Sequence, residues 1–336
     1  MANQPNPPKI NWYRSPVDRG TLAVLNQRSD FLGFMQTLGH LGLLAITGAA
    51  SWYTAARLSI WVTLLVLFLH GTFYNFLLNA FHEFCHRSVF KTKALNAIFL
   101  YIVSFLSWYN PIFFWASHQE HHKYTLHPPA DLEVVLPVKL TLKNFLQNAL
   151  VNPWELYSRV RSTIRLSFGR LEGEWENTLF PPEALAARYR LFTWARIQII
   201  GSIVLVGVSL YLGWWMLPVV ITLAPFYGGG LQYLCNNTQH IGLQDNVPDF
   251  RLCTRTIILN PFVRFLYWHM NFHIEHHMYA AVPCYNLGKL HKAIQTDLPP
   301  CHGLVAAWKE IVWILRKQKE DPTYQFIAEL PTQASD

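Results

Sequence analysis

Three histidines fall within five residues in Asn271-Phe272-His273-Ile274-Glu275-His276-His277. No apolar core needs that density. On a helix, positions i, i+3 and i+4 share one face, so His273, His276 and His277 aim three imidazoles at one spot. The same word recurs at His118-Gln119-Glu120-His121-His122, and a shorter one stands at His82-Glu83-Phe84-Cys85-His86. A chain with these three boxes has to fold so that they meet. Otherwise it leaves dense polar clusters beside apolar segments, which is costly.

The segments between the boxes are apolar. The 336 residues are 51% hydrophobic and 15% aromatic, and only 14% are charged, against roughly 25% in a soluble domain. This is the composition of a membrane protein. The net charge of +7 comes from basic residues in the polar segments. They read as flanks of membrane spans rather than as a nucleic-acid face, which would need motif support that the chain does not offer. The five cysteines form no C-x-x-C pair, and the first 30 residues are polar and Pro-rich with no cleavable signal. A reducing compartment for the polar parts follows.

Apolar runs at about 31–50 and 58–80 form a hairpin with one basic residue, Arg57, in its turn. Each has about the 20 residues a crossing needs. A second hairpin is expected at about 195–212 and 214–234. A third apolar stretch, about 95–115, is long enough to cross. Crossing would put His86 and His118 on opposite faces of the bilayer and forbid a shared site. It is therefore expected to lie in the interface or to dip in and return, broken at Asn110-Pro111. The polar insert 123–190 holds Leu142, Phe145, Leu146, Ala149 and Leu150 at helical spacing, accompanied by Lys139, Lys143, Arg159, Arg161, Arg165 and Arg170. It reads as an amphipathic segment on the membrane surface, with a docking patch for an acidic electron carrier as the sharper alternative. Nearly all Lys and Arg then lie on the histidine side, which makes that side, with both termini, cytoplasmic: a bacterial inner membrane or the endoplasmic reticulum. The expected architecture is all-α and multi-pass. It has four transmembrane helices, interfacial helices and a cytosolic histidine-rich cap, in one domain spanning 1–336. The parts of that domain are a cytosolic segment 1–30, a core 31–280 and a cytosolic segment 281–336, frayed from Pro331 on.

Eight of the 15 histidines lie in the boxes. A ninth candidate, His240, follows the last span in Asn236-Asn237-Thr238-Gln239-His240. Eight or nine imidazoles exceed what one ion takes, so two metal ions are the natural count. Imidazole suits Fe, Cu, Zn and Ni. Zinc takes three or four ligands and no more, copper's common Met and Cys partners are missing, and iron pairs best with a membrane-embedded O2 reaction.

The boxes, H-x-x-x-H, H-x-x-H-H and H-x-x-H-H, resemble those of the integral-membrane fatty acid desaturases and related hydroxylases. The order of hairpin, box one, interfacial stretch, box two, insert, hairpin and box three is similar too, over roughly residues 58–280. The resemblance implies a diiron site held by His82, His86, His118, His121, His122, His240, His273, His276 and His277, with O2 as co-substrate. Asn236, four residues before His240, matches an N-x-x-x-H element of the acyl-CoA branch and would contact the metal through water. Box one has three residues between its histidines where that branch has four, which favours the acyl-lipid and bacterial-type branches. The implied reaction is introduction of a double bond into a fatty acyl or other lipid-like chain. Hydroxylation at the same site is the alternative. With no fused haem or ferredoxin domain in the sequence, electrons are expected from a separate ferredoxin or haem carrier with its reductase.

Two other classes compete. His82-Glu83-x-x-His86 spells H-E-x-x-H, which in a membrane zinc protease places two ligands and a catalytic Glu on one helix. That reading leaves six box histidines without a role. A histidine-rich metal transporter would place its ligands within the spans near the midplane, whereas these boxes follow span ends. Further candidates to support the ligands are Asp131, Glu120, Glu275, Asp245 and Asp249. Glu120 and Glu275, at i+2 of their boxes, are expected to pair with nearby Arg, and Glu83 to be an ordinary carboxylate beside the site or at the surface. His40 and His70, inside the spans, are expected to be buried and hydrogen-bonded.

Overall fold

The computed structural model describes residues 9–331, so the tail from residue 332 lies outside the described residues. Among the described residues the chain is helical apart from one pair of two-residue strands.

Helix α1 (Arg19–Leu25) is capped by Asp18, whose carboxylate accepts from the Thr21 N–H. Helix α2 (Asp30–Arg57) starts at Ser29, whose hydroxyl accepts from Leu32 N–H. Its 28 residues reach about 42 Å at 1.5 Å per residue, beyond the roughly 30 Å of hydrocarbon. Ser29 and Asp30 at its start and Arg57 at its end therefore clear the apolar layer. Helices α3 (Ile60–Asn75) and α4 (Leu77–Cys85) continue one another as a second rod long and apolar enough to cross. Box one occupies the end of that rod.

The third apolar stretch turns back as anticipated. Helix α5 (Lys93–Ser107) stops at Trp108, which is left-handed (φ 59°). The chain then bends by 102° into α6 (Pro111–Tyr124). Asn110 makes this restart possible, because its side-chain oxygen accepts from Ile112 and Phe113 N–H while Pro111 needs no acceptor. Helix α6 carries box two back to box one, where His86 and His118 meet at 3.2 Å. A straight crossing would keep them a bilayer apart.

The insert folds as α7 (Leu142–Ala149), α8 (Pro153–Ser167) and α9 (Gly173–Leu179). Phe145 on α7 packs against Tyr233, while Leu142, Leu146, Leu150 and Trp154 stay exposed. An apolar face left open beside membrane spans fits the expected surface-lying segment. Three of the basic residues pair within the protein. Arg159 binds Glu155 and lies 3.8 Å over the Tyr109 ring, Arg161 faces Glu172, and Arg165 binds Glu176. That leaves little free charge on α8 for an acidic carrier.

Helix α10 (Leu185–Tyr211) is the third rod able to cross. The expected partner arm, 214–234, is not one helix. It breaks into α11 (Met216–Val220), a 3-10 turn (Ala224–Phe226) and α12 (Gly230–Asn236). Pro218, Pro225 and Gly228-Gly229-Gly230 interrupt the ladder. The freed carbonyls find partners on α3: Asn75 Nδ2 donates to Tyr227 O, and Thr72 Oγ1 lies 3.1 Å from Gly228 O. This is how a broken backbone survives at membrane depth. Close approach is enforced at Gly71, where a Cβ would come within 2.5 Å of Tyr227 O.

The remainder caps the bundle: α13 (Phe250–Cys253), β1 (Ile257–Ile258), α14 (Pro261–Leu266), α15 (His273–Met278), α16 (Cys284–Ile294), β2 (His302–Gly303) and α17 (Leu304–Glu320). Strands β1 and β2 pair in parallel, with Ile257 opposite His302. Buried Trp268 and Tyr267 lock the cap onto the second rod through Phe84 and Phe76. Trp268 Nε1 also donates to His40 Nδ1, and His40 Nε2 in turn donates to Phe73 O. His70 is bonded to Thr47 and Val220 O. Both are the satisfied buried histidines expected of the spans.

Candidate metal centre

Three helices and one turn bring the nine histidines together. His82 and His86 stand one turn apart at the end of α4; His118, His121 and His122 share α6; His273, His276 and His277 share α15. His240 comes from the turn between α12 and α13. The rings fall into two groups. His82, His86, His118, His122 and His276 each offer a nitrogen, all within 4.8 Å of one another, and His121, His240 and His277 do the same. His273 sits beside the second group, its Nε2 3.0 Å from His240 Nε2 and 3.1 Å from His277 Nε2. The groups touch: the His122 and His277 rings stack at 4.5 Å.

Hydrogen bonds at the far side of the rings set their tautomers. His118 Nδ1 donates to Glu133 and His121 Nδ1 to Asp131, each at 2.8 Å. His240 Nδ1 donates to Cys253 O at 2.9 Å. Thr125 spends its hydroxyl proton on His121 O, so its oxygen is left to accept from His277 Nδ1 at 3.2 Å. With the proton held on Nδ1, each Nε2 presents a lone pair inward. Those inward nitrogens crowd one another: His82–His118 at 2.7 Å, His118–His122 at 3.0 Å and His240–His273 at 3.0 Å. So many buried imidazole nitrogens turned toward one another make the donor set of a metal site. Ligand nitrogens across a first-row ion sit about 4 Å apart, from bonds of about 2.1 Å, so groups of this size fit metal ions. His276 has no partner at either nitrogen, although it is 1% exposed. A buried polar ring with no partner in the protein is a further sign that the fold is built to hold a metal ion.

Electrostatics agree. Burial, with His121 close by, pushes His240 down to about 3. Burial among the other rings holds His273, His276 and His277 well below the usual histidine range. The cap imidazoles are therefore neutral and ready to ligate at ordinary pH. Asp131 is fully buried, which disfavours its charge. Even so, the bonds from His121 and from Leu126 and Glu133 N–H keep its carboxyl below the usual range.

Of the proposed supporting residues, Asp131 reaches the site and the others divide. Glu120 bonds Lys123 at the surface, 2.6 Å away. Glu275 is fully buried and meets no Arg; it takes hydrogen bonds from Thr256 Oγ1 and His291 Nδ1, behind box three. On a helix of six residues buried all round, position i+2 has no solvent face to turn to. Asp245 bonds the Gln325 side chain, and Asp249 caps α13 and pairs with Arg251. Neither touches an imidazole among the described residues. Asn236 ends α12 one turn before His240, with no hydrogen bond from its side chain to a histidine. Sequence reasoning misses two contributors, Glu133 and Thr125. The only signals for them are acidic residues two apart in the Pro-rich turn after box two, and a threonine one turn past His121.

The chain spans about half the length of the curated relatives it matches. It is 24% identical over 234 residues to the Delta(5) fatty acid desaturase fat-4 of Caenorhabditis elegans, which covers 61% of this chain and 51% of that protein. It is 25% identical over 239 residues to the Delta(6)-fatty-acid desaturase fat-3 of the same organism, covering 64% of this chain and 54% of that one. The family model described as fatty acid desaturase matches residues 28–308, a stretch that holds the three long apolar rods and all three boxes. This integral membrane chain belongs to the fatty acid desaturase family.

Proposed function

We propose that this chain is an O2-dependent diiron oxidoreductase that introduces a double bond into a fatty acyl or other lipid-like chain. One observation carries the proposal: nine imidazoles from sequence positions some 195 residues apart converge as two neighbouring groups with ring nitrogens facing one another. In this reading His82, His86, His118, His122 and His276 hold one iron, and His121, His240, His273 and His277 the other. In this reading the H-E-x-x-H of box one is a fragment of a larger cluster, most of which a zinc protease would leave unused.

Iron supplies O2 activation for attack on an unactivated C–H bond. Overall, a –CH2–CH2– unit, O2, two electrons and two protons give –CH=CH– and two waters. The chain's own residues do the rest. Asp131, Glu133 and Thr125 fix ring orientation. Phe114 stacks on His118, Trp115 edges His86 and Phe250 covers His277, which keeps bulk water from the rings. A cavity of about 680 Å³ lies between α2, α3 and α11, lined by apolar residues such as Leu44, Gly48 and Leu106 with Arg57 at one end. No box histidine lines it. We assign it to the far part of the substrate chain, because it suits an unbranched apolar tail and little else. The two electrons come from a ferredoxin or haem carrier with its reductase, on the cytoplasmic side that the basic flanks indicate.

Mass spectrometry of lipids from cells expressing the chain with a reductase system tests the reaction. Products lighter by two hydrogens are expected. Products heavier by one oxygen would replace desaturation by hydroxylation.

A further inference from the structure

Box one contains a residue for which the nine-histidine site gives no use. Glu83 is 1% exposed on α4. Its Oε1 is enclosed and has no hydrogen-bond partner. It lies 3.3 Å from His82 Nδ1 and 3.9 Å from His276 Nδ1. Both of those nitrogens also lack a partner. Among the described residues no Lys or Arg nitrogen comes within 4.0 Å of the carboxylate. A carboxylate taken out of water with no counter-charge is among the costliest groups a fold can carry.

The rest of the site shows what such a group is for. Glu133, Asp131, Cys253 O and Thr125 each accept the Nδ1 proton of one inward-facing histidine. His82, His273 and His276 lack that support; of these, His82 and His276 have a carboxylate beside Nδ1, and they come from boxes one and three, farthest apart in sequence. One unpaired carboxylate oxygen lies beside both. A cation on the first group strengthens the imidazole N–H donors and supplies the missing positive charge.

We propose that Glu83 is a positioning residue: it accepts Nδ1–H from both His82 and His276 once the first histidine group is loaded, tying box one to box three and offsetting the charge of the ion. Closing the longer contact to charge-assisted length needs a movement of about 1 Å. The inference rests on the iron reading of the site.

The test uses the purified full chain in detergent, metal-free and after ferrous loading, with the isosteric Glu83→Gln. Loss of iron to a chelator is expected to be about 10–100-fold faster in the variant, the usual effect of removing an outer partner of a ligand. Melting of the metal-free variant is expected at or above the wild-type temperature, because the cost of burying an ionisable carboxyl is gone. A residue needed only for packing would do the reverse, lowering the metal-free melting temperature and leaving iron retention alone. That result, or iron held as firmly as in wild type, overturns the proposal. Wild-type protein that binds no iron would instead overturn the reading of the site on which it rests.

Discussion

Replacing His276 by alanine is expected to abolish turnover while the protein still inserts in the membrane and purifies as a folded chain. His276 is the only member of box three in the first group, where its ring lies 4.7 to 4.9 Å from those of His82, His86 and His122. Without it that group loses its tie to the cap. The loss should exceed the roughly 10–100-fold that removing an outer hydrogen-bond partner costs. Folding is spared because His276 makes no hydrogen bond with either ring nitrogen, so the substitution orphans nothing. His121→Ala should be equally inactive. Product formation against membrane-fraction yield is the measurement, and wild-type product from either variant would count heavily against the assignment.

Asp131→Ala is expected to be worse for the fold than either histidine variant. The carboxylate is fully buried and accepts from His121 Nδ1, Leu126 N–H and Glu133 N–H. Truncation leaves three donors unpaired, each costing about 1–3 kcal/mol. The turn between box two and the insert depends on those bonds, as does the orientation of Glu133 toward His118. We therefore expect Asp131→Ala to yield little folded protein. Asp131→Asn keeps the size and one acceptor oxygen, so it should fold but lose about 10–100-fold in activity as the His121 tautomer is released. The yield of monodisperse protein by size exclusion separates the two effects. A stable, active Asp131→Ala would show that the turn is held by something else.

The boxes were legible in the sequence because helical spacing is local: three imidazoles at i, i+3 and i+4 face one way wherever the helix lies. The turn-back of 95–115 was legible for a different reason. Hydropathy permits a crossing there, but a site shared by His86 and His118 forbids it. The arm 214–234 reads as a span because its composition is apolar. Its breaks at Pro218, Pro225 and the three glycines are tolerated only because Asn75 and Thr72, about 150 residues earlier, bond the freed carbonyls. No window around residue 225 contains that information. Glu275 was misread for the same kind of reason. Its partners Thr256 and His291 come from separate parts of the cap, and the helix it sits on is buried on every side. Glu133 and Glu83 matter through where loops and helix ends place them against rings from other elements, which spacing along the chain does not encode.

The central claim is that two neighbouring histidine groups hold two irons. Metal analysis of the purified wild-type chain, per mole of protein, tests it most directly. About two irons per chain, falling to one or fewer in His276→Ala, is the predicted result. A single zinc per chain, unchanged by that substitution, would contradict it.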